Sequence, residues 1–169
     1  MMQPPPNSRR PIRRGNSLLE VAVSTLLVSV LLVAALQAAG QSLFSQIKTA
    51  DRVRGQRLAR LLLVEVTQRG YSEPGASNPP IGPDASEFGR TTFDDVDDYH
   101  AYSESPPQDI NGSALSEYTG WSRGVTVEWI DSVTLATTAS ESGAKRITVS
   151  ASLGGSPVAT ATGYRTSAP

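Results

Sequence analysis

The longest apolar stretch of the chain lies close to its amino terminus. Residues 21–39 contain no charged side chain and only four polar ones, Ser24, Thr25, Ser29 and Gln37. At about 1.5 Å per residue, a helix of this length spans roughly 28 Å, close to the thickness of the hydrocarbon core of a bilayer. The pattern therefore predicts a membrane-spanning helix.

The helical pattern continues beyond this stretch. No proline occurs between Ser17 and Arg69, which allows one helix of about 53 residues. We predict that residues 16–40 form its membrane-spanning part and that residues 41–69 form an amphipathic continuation. Gly55 is predicted to be a bend or weak point. The apolar stripe predicted to pack on a globular head comprises Leu43, Ile47, Ala50, Leu58 and Leu61.

A segment rich in proline, glycine and serine follows the helix. Between Gly70 and Arg90, prolines stand at positions 74, 79, 80 and 83 among glycine, serine and asparagine residues. This composition excludes a helix. We predict a surface loop that connects the long helix to the rest of the head.

The remaining chain alternates apolar and polar residues, the period of a half-buried β-strand. The predicted elements are strands over 125–129 and 147–153, a short partner strand at Val133 and Leu135, a hairpin turn at Gly154-Gly155-Ser156 and a last strand closing near Arg165. Together they predict an antiparallel sheet of about four strands that covers the helix stripe. The expected fold class is α+β, with residues 70–169 forming a β-rich head.

The charges divide into a basic amino terminus and a mildly acidic remainder. All four charges in the first 15 residues are positive, whereas the rest of the chain carries 11 basic and 16 acidic side chains. Positive residues before an apolar helix are typical of the cytoplasmic side of a membrane span. An acidic body offers no positive field for nucleic acid, so we expect no nucleic-acid partner. The absence of cysteine excludes a disulfide framework and a thiolate metal site.

A single carboxylate, Glu20, stands at the head of the apolar run. A charge near the hydrocarbon core costs several kcal/mol unless it is paired or lies at the interface. Glu20 belongs to the string RRGNSLLEVAVSTLL, residues 13–27, in which a basic leader is followed by Gly15 and then by an apolar helix. This string resembles the class III signal of type IV prepilins and type II secretion pseudopilins, with the N-terminal methylation motif of that family.

The resemblance implies a processing event and an assembly role. The prepilin peptidase would cut between Gly15 and Asn16, remove residues 1–15 as a leader peptide and methylate Asn16, where family members usually carry phenylalanine. Glu20, then the fifth residue, would pair with the terminal amine of a neighbouring subunit. Residues 16–40 would form the filament core, and the whole would adopt a type IV pilin-like fold.

The implied protein is a minor pilin or pseudopilin and not an enzyme. It would be a single-pass protein of the bacterial inner membrane with its head in the periplasm, later part of a type IV pilus or a type II secretion pseudopilus. Its partners would be other pilins or pseudopilins, the prepilin peptidase, the inner-membrane assembly platform and membrane lipid.

The sequence leaves three alternatives to this interpretation. A cleaved secretory signal usually has an apolar region of about 7 to 15 residues and ends in a small-x-small site. Here the run is longer, and the one passable site, Ala38-Ala39-Gly40, is followed by more helical sequence. An uncleaved single-pass anchor that carries a periplasmic binding domain is the second alternative. An exported enzyme, which would have to use His100, the only histidine, is the third.

The string FDDVDDYHAY, residues 93–102, contains the most conspicuous acidic cluster of the head. Carboxylates on one loop suit Ca²⁺, which takes six to eight oxygen ligands, although the spacing of an EF-hand is absent. A solvated acidic turn is the competing interpretation. The string also resembles segments of minor pilin-like proteins of the V type and of mannose-sensitive haemagglutinin pili, of the D-like kind. Apart from Ca²⁺ we expect no cofactor; the candidate ligands are Asp94, Asp95, Asp97 and Asp98.

Overall fold

The computed structural model describes residues 18–73, 75 and 80–167. One long helix precedes an antiparallel meander of four strands in the spatial order β1-β2-β3-β4. This arrangement confirms the predicted α+β class. The elements are α1 (Leu18–Thr67), β1 (Ser103–Glu104), β2 (Trp121–Trp129), β3 (Ala144–Leu153) and β4 (Ser156–Thr166), with short 3₁₀ helices at Asp97–Tyr99 and Ser116–Tyr118.

The chain divides into two compact units, Met1–Gln46 and Ile47–Pro169. The described part of the first unit is the amino-terminal half of α1, whose large apolar side chains are exposed. Its length and composition make it a candidate membrane span. Glu20 lies in its first turn, where a negative charge interacts favourably with the helix dipole.

The core of the second unit forms where the end of α1 packs against the sheet and the loop that follows the helix. The helix contributes Leu58, Ala59, Leu62 and Val66, each fully buried. Strands β2 and β3 contribute an apolar face because their register places Val125 opposite Val149 and Val127 opposite Ile147. The two alternating segments identified in the sequence therefore pair directly with each other in the sheet.

The predicted stripe of the helix is wrong in part. Leu58 is fully buried, but Leu43, Ile47 and Leu61 are each more than half exposed. Helix α1 carries apolar residues on more than one face, so spacing alone does not determine which face meets the sheet. The face that packs is rotated by one residue and runs through Leu62.

Gly55 is a packing position in a helix that continues without interruption to Thr67. A Cβ atom at Gly55 would lie 3.1 Å from the Trp121 ring and from Val158, and 3.2 Å from Ala159. The missing side chain lets α1 approach β2 and β4 closely. Gly55, which was predicted to be a bend or weak point, therefore lies where the helix and the sheet pack closely against each other.

The short strand predicted at Val133 and Leu135 is also wrong. These residues lie in the turn between β2 and β3, where Val133 is 87 % exposed and Leu135 has a φ of 58°. The reason is Asp131, whose Oδ1 accepts the backbone N–H groups of Val133 (3.0 Å) and Thr134 (2.7 Å). A side-chain acceptor of this kind stabilises a turn against strand pairing. The partner of β2 on that side is instead β1.

The hairpin turn predicted at Gly154-Gly155-Ser156 is confirmed. Gly154 and Gly155 have φ values of 56° and 80°, which glycine adopts without a steric penalty. They connect β3 to β4, which forms one edge of the sheet.

Candidate functional site

Of the residues predicted to act in processing and assembly, Glu20 is described by the structure. Gly15 and Asn16 lie outside the described residues. Glu20 is exposed on α1, and it is the only charged residue between Leu18 and Ile47. Among the described residues Glu20 forms no ion pair, so its carboxylate is available to a partner from outside this apolar segment.

The acidic loop of the head is not the solvated turn that was one of the two interpretations of its sequence. Asp95, Asp97 and Asp98 are at most 3 % exposed, and only Asp94 is on the surface. Oδ2 of Asp98 accepts the backbone N–H groups of Asp94 and Asp95, both at 3.0 Å. Oδ1 of Asp95 accepts the N–H of Asp97 at 2.6 Å. The carboxylates thus fold the loop by satisfying its own backbone donors.

Asp97 is bound by a lysine that the sequence analysis did not single out. Nζ of the fully buried Lys145 lies 2.6 Å from Asp97 Oδ2, donates to the Tyr71 carbonyl at 2.5 Å and lies 4.0 Å from the centre of the Tyr71 ring. Lys145 shares the inward face of β3 with Ile147 and Val149. A charged residue at an inward position of an alternating strand was the available signal, because such a charge needs a buried partner.

A second buried network joins the helix, the loop and the sheet. Arg90 forms ion pairs with Glu65 of α1 and with Glu104 of β1, the latter at 3.2 Å. Arg123 of β2 also pairs with Glu104. Both arginines donate to the Gln108 carbonyl, at 2.9 and 2.7 Å. Three of these four charges are buried and Glu65 is nearly so; they are tolerable only because each is paired and hydrogen-bonded, so this network specifies how the head packs.

Burial and neighbouring charges shift the pKa values of these carboxyl groups in opposite directions. Burial raises the pKa of Asp97 to about 6, even though Lys145 favours the charged form. Burial, together with a hydrogen bond to Glu87, raises the pKa of Asp98 to about 6. For Glu65, burial also opposes the charge, but the hydrogen bond and the charge of Arg90 outweigh it and lower the pKa. The folded structure therefore disfavours the charged forms of Asp97 and Asp98 in the acidic loop, whereas it favours the charged form of Glu65 in the Arg90 network.

Two groups of carboxylates in this region could each hold a cation. Oxygen atoms of Glu73, Asp94 and Asp95 lie within 4.8 Å of one another, and so do oxygen atoms of Glu87, Asp94 and Asp98. The predicted Ca²⁺ ligands are thus only partly brought together. Asp97 does not belong to either group, because its carboxylate is held by Lys145. Glu73 and Glu87 come from the preceding loop, far enough along the chain that no spacing rule connected them to the aspartates.

His100 and Trp121 have packing roles. Nδ1 of His100 accepts the backbone N–H of Val127 at 3.2 Å, which attaches the acidic loop to β2. Trp121 is buried in the core and contacts Gly55 of the helix. The hydrogen bond of His100 is thus to a backbone N–H group and not to a nucleophilic side chain.

At this level of detail, the residues described define an α+β protein with an apolar amino-terminal helix and a charged, tightly packed head. Comparison of the chain with protein-family models, with curated proteins and with solved structures finds no match. Its function is therefore inferred from its own residues.

Proposed function

We propose that the chain is a minor pilin or pseudopilin, a structural subunit that is cut between Gly15 and Asn16 and assembled into a filament through residues 16–40. The observation that supports this most directly is Glu20. It is the only charge in the first thirty described residues, and it stands in the first turn of α1, in the half of the helix whose large apolar side chains are exposed. A residue so costly to place in an apolar environment is expected to have a role.

The chemistry of the two groups supports that role. Cleavage after Gly15 would create an ammonium group four residues before Glu20. An isolated ammonium and an isolated carboxylate are each costly in a low-dielectric bundle, whereas a pair between neighbouring subunits is tolerable and fixes their register. In this function the chain catalyses nothing and is itself the substrate of the prepilin peptidase.

The order of the elements agrees with the proposal. An apolar helix enters the membrane from a basic leader, and its second half is covered by an antiparallel meander. This is the architecture that a type IV pilin-like fold requires. The head would lie in the periplasm, and the filament would be a type IV pilus or a type II secretion pseudopilus.

The test is the intact mass and the N-terminal sequence of the protein extracted from membranes of cells with and without prepilin peptidase. We expect a start at Asn16 when the peptidase is present and at Met1 when it is absent. A Gly15→Val variant should keep its leader in both strains. A start at Met1 in both strains for the natural sequence would exclude the pilin role.

Glu20→Gln provides the matched test of assembly, because it removes the charge but keeps the shape. We expect this variant to be processed normally and to be lost from sheared filaments, while Glu20→Asp should be affected less. Normal incorporation of Glu20→Gln would contradict the role given to this residue.

A second candidate function, an uncleaved membrane-anchored binding domain, has one specific observation in its favour: Asp94 is exposed and belongs to both carboxylate groups. If this domain binds Ca²⁺, chelation lowers the melting temperature of the detergent-extracted chain, since a bound ligand stabilises the folded state. Asp94→Asn should abolish that shift, and the protein should still begin at Met1. Equal melting temperatures with and without Ca²⁺ would contradict this function.

A further inference from the structure

One exposed face of α1 within the second unit is unusually apolar. Val53, Leu61 and Val64 are each more than half exposed there. A surface helix of a monomeric head is expected to present polar residues on such a face. These residues line a groove of about 340 Å³, here called the helix groove, formed by Val53, Gln56, Arg57, Arg60, Leu61 and Val64.

The helix groove is bordered by cations without partners. Residues 47–69 carry six basic and two acidic side chains, whereas residues 70–169 carry five basic and thirteen acidic ones. Arg57 and Arg60 are exposed, and within the described part of the chain neither forms an ion pair. The groove therefore suits an apolar group that is accompanied by carboxylates.

The same chain displays such a group. Phe88 is 91 % exposed, more than any other large apolar side chain that the structure describes. It follows Asp84 and Glu87 in a turn closed by the hydrogen bond from the Glu87 N–H to the Asp84 carbonyl, 3.0 Å, and by one from the Asp84 N–H to the Glu87 carboxylate, 2.9 Å. Residues 84–88, here called the Phe88 loop, thus present an exposed aromatic ring next to the exposed carboxylate of Asp84 and the half-buried carboxylate of Glu87.

We propose that the Phe88 loop of one copy of this chain binds the helix groove of a second copy. The ring enters between the apolar side chains of the groove, and the carboxylates face its arginines. An aromatic anchor in a pocket with charged residues at the rim is the usual composition of a strong contact, and a guanidinium group also binds favourably to an aromatic face.

The occupant is a second copy because both halves of the contact are on this chain and both are exposed on it. The two surfaces differ, so each copy offers one groove and one loop. A contact of this kind is heterologous, and it extends to a chain of subunits or closes to a ring. The inference rests on the proposed function and deepens it by naming the contact between heads in the assembly.

The absence of cysteine makes disulfide cross-linking a clean test. Gln56→Cys places a thiol in the helix groove, and Ser86→Cys places one in the Phe88 loop; both positions are exposed. In membranes of cells that express the full chain, mild oxidation of the double variant should give a ladder of dimers, trimers and larger species. Each single variant should stay monomeric, and the two single variants expressed together should give a dimer only.

Two sets of variants control for chance collisions. Gln56→Cys combined with Thr160→Cys, an exposed position on β4, should give no ladder. In the double-cysteine chain, Phe88→Ser should reduce cross-linking by about tenfold, as expected for loss of an anchor residue. Reversal of the groove charges by Arg57→Glu and Arg60→Glu should abolish the ladder, and the further change Asp84→Arg, at an exposed position, should restore part of it.

Several outcomes would overturn the inference. Dimers of the single variant Gln56→Cys would show that two grooves face each other, and cross-links only to a different protein would show another occupant. The start of the protein is determined in the same samples. A start at Asn16 without a ladder would reject the contact and leave the proposed function intact, whereas a ladder with a start at Met1 would do the reverse.

Discussion

Arg90 donates hydrogen bonds from Nε and Nη2 to the two carboxylate oxygens of Glu65, so that one bidentate ion pair connects the loop after the helix to the helix itself. The Nε contact is 2.7 Å long, and both side chains are almost completely covered. Glu104 and the Gln108 carbonyl take the remaining donors of the guanidinium group. The position of the loop, and with it the Phe88 loop, thus depends on one arginine.

Arg90→Ala should lower the free energy of unfolding by about 3–5 kcal/mol, because it leaves Glu65 without its ion-pair partner and Glu104 with Arg123 alone. Arg90→Lys should be milder, although an ammonium group cannot bind a carboxylate in the bidentate way. Urea unfolding of the detergent-extracted chain, followed by the fluorescence of its two tryptophans, Trp121 and Trp129, measures both. The exposed Arg60→Ala serves as control and should change stability by no more than about 0.5 kcal/mol. Equal effects of Arg90→Ala and Arg60→Ala would contradict the importance of the network.

Gly55→Ala should destabilise the head by about 1–3 kcal/mol, because the new methyl group would contact the Trp121 ring and Val158 at 3.1 Å. Alanine is the better helix former, so a net loss of stability would come from this crowding. Gly40→Ala is the matched control, since nothing lies within 4 Å of its Cβ position. Its unfolding midpoint should equal or slightly exceed that of the natural sequence, because alanine favours the helix and meets no neighbour there. A stabilising Gly55→Ala would show that helix and sheet can separate at no cost.

The stability of the head should pass through a maximum between about pH 4 and 5. The pKa values of Asp97 and Asp98 are raised to about 6 in the folded state, so the folded state binds more protons than the unfolded state between about pH 4 and 6. Stability then increases as the pH falls from 7.5 to 5, by on the order of 1–3 kcal/mol. Below about pH 4.5 it should decrease, because the pKa values of Glu65 and Glu141 are lowered on folding and their contribution is lost as they are protonated.

Asp98→Asn measures the contribution of Asp98 to the rise in stability between pH 7.5 and 5. Asparagine keeps an oxygen that accepts the N–H groups of Asp94 and Asp95, but it has no charge to titrate. We expect this variant to be more stable than the natural sequence at pH 7.5 and to lose part of the rise between pH 7.5 and 5. Denaturant unfolding at three or four pH values measures this. An unchanged dependence of stability on pH would mean that protonation of Asp98 does not contribute to the rise.

Leu135→Asn should stabilise the head by about 0.5–1 kcal/mol. Leu135 has a φ of 58°, a conformation in which a branched side chain is strained and asparagine is tolerated. About half of the Leu135 surface is already exposed (46 %), which limits the burial that this change loses. Val133→Asn in the same turn is the control, because Val133 is not among the residues with positive φ, and it should have no effect. Thermal unfolding of both variants under identical conditions decides the point.

The parts of the fold that the sequence predicted are those in which a long, regular pattern leaves few choices. The apolar run predicts the first half of α1, and the alternation from Ile147 to Leu153 predicts β3. The turn after β3 is predicted by Gly154 and Gly155. The strand expected at Val133 failed because one side chain, that of Asp131, supplies three turn contacts and overrides a weak alternation. Strand β1 has two residues, too few to show any period.

The ion-pair networks could not be predicted because their members are far apart in the chain. Asp97 and Lys145 are separated by 48 residues, and Arg90 and Glu65 by 25. Four neighbouring aspartates are typical of a solvated turn or of a metal site, and only the fold shows that Asp97 has a lysine partner. The carboxylates of Glu73 and Glu87 join Asp94 for the same reason, through tertiary contacts that no local spacing encodes.

The exposed apolar surface of the first half of α1 has a consequence for the energetics of assembly. In the proposed function this helix passes from lipid to a filament core, two environments of almost equal polarity. Lipid tails are as apolar as leucine side chains, so the transfer gains little from the hydrophobic effect. The free energy that makes a subunit leave the bilayer must then come from its few polar groups, the Glu20 pair within the bundle and the contacts between heads. A subunit that lacks both would be equally stable in the bilayer and in the filament, and its filament would disassemble into the membrane.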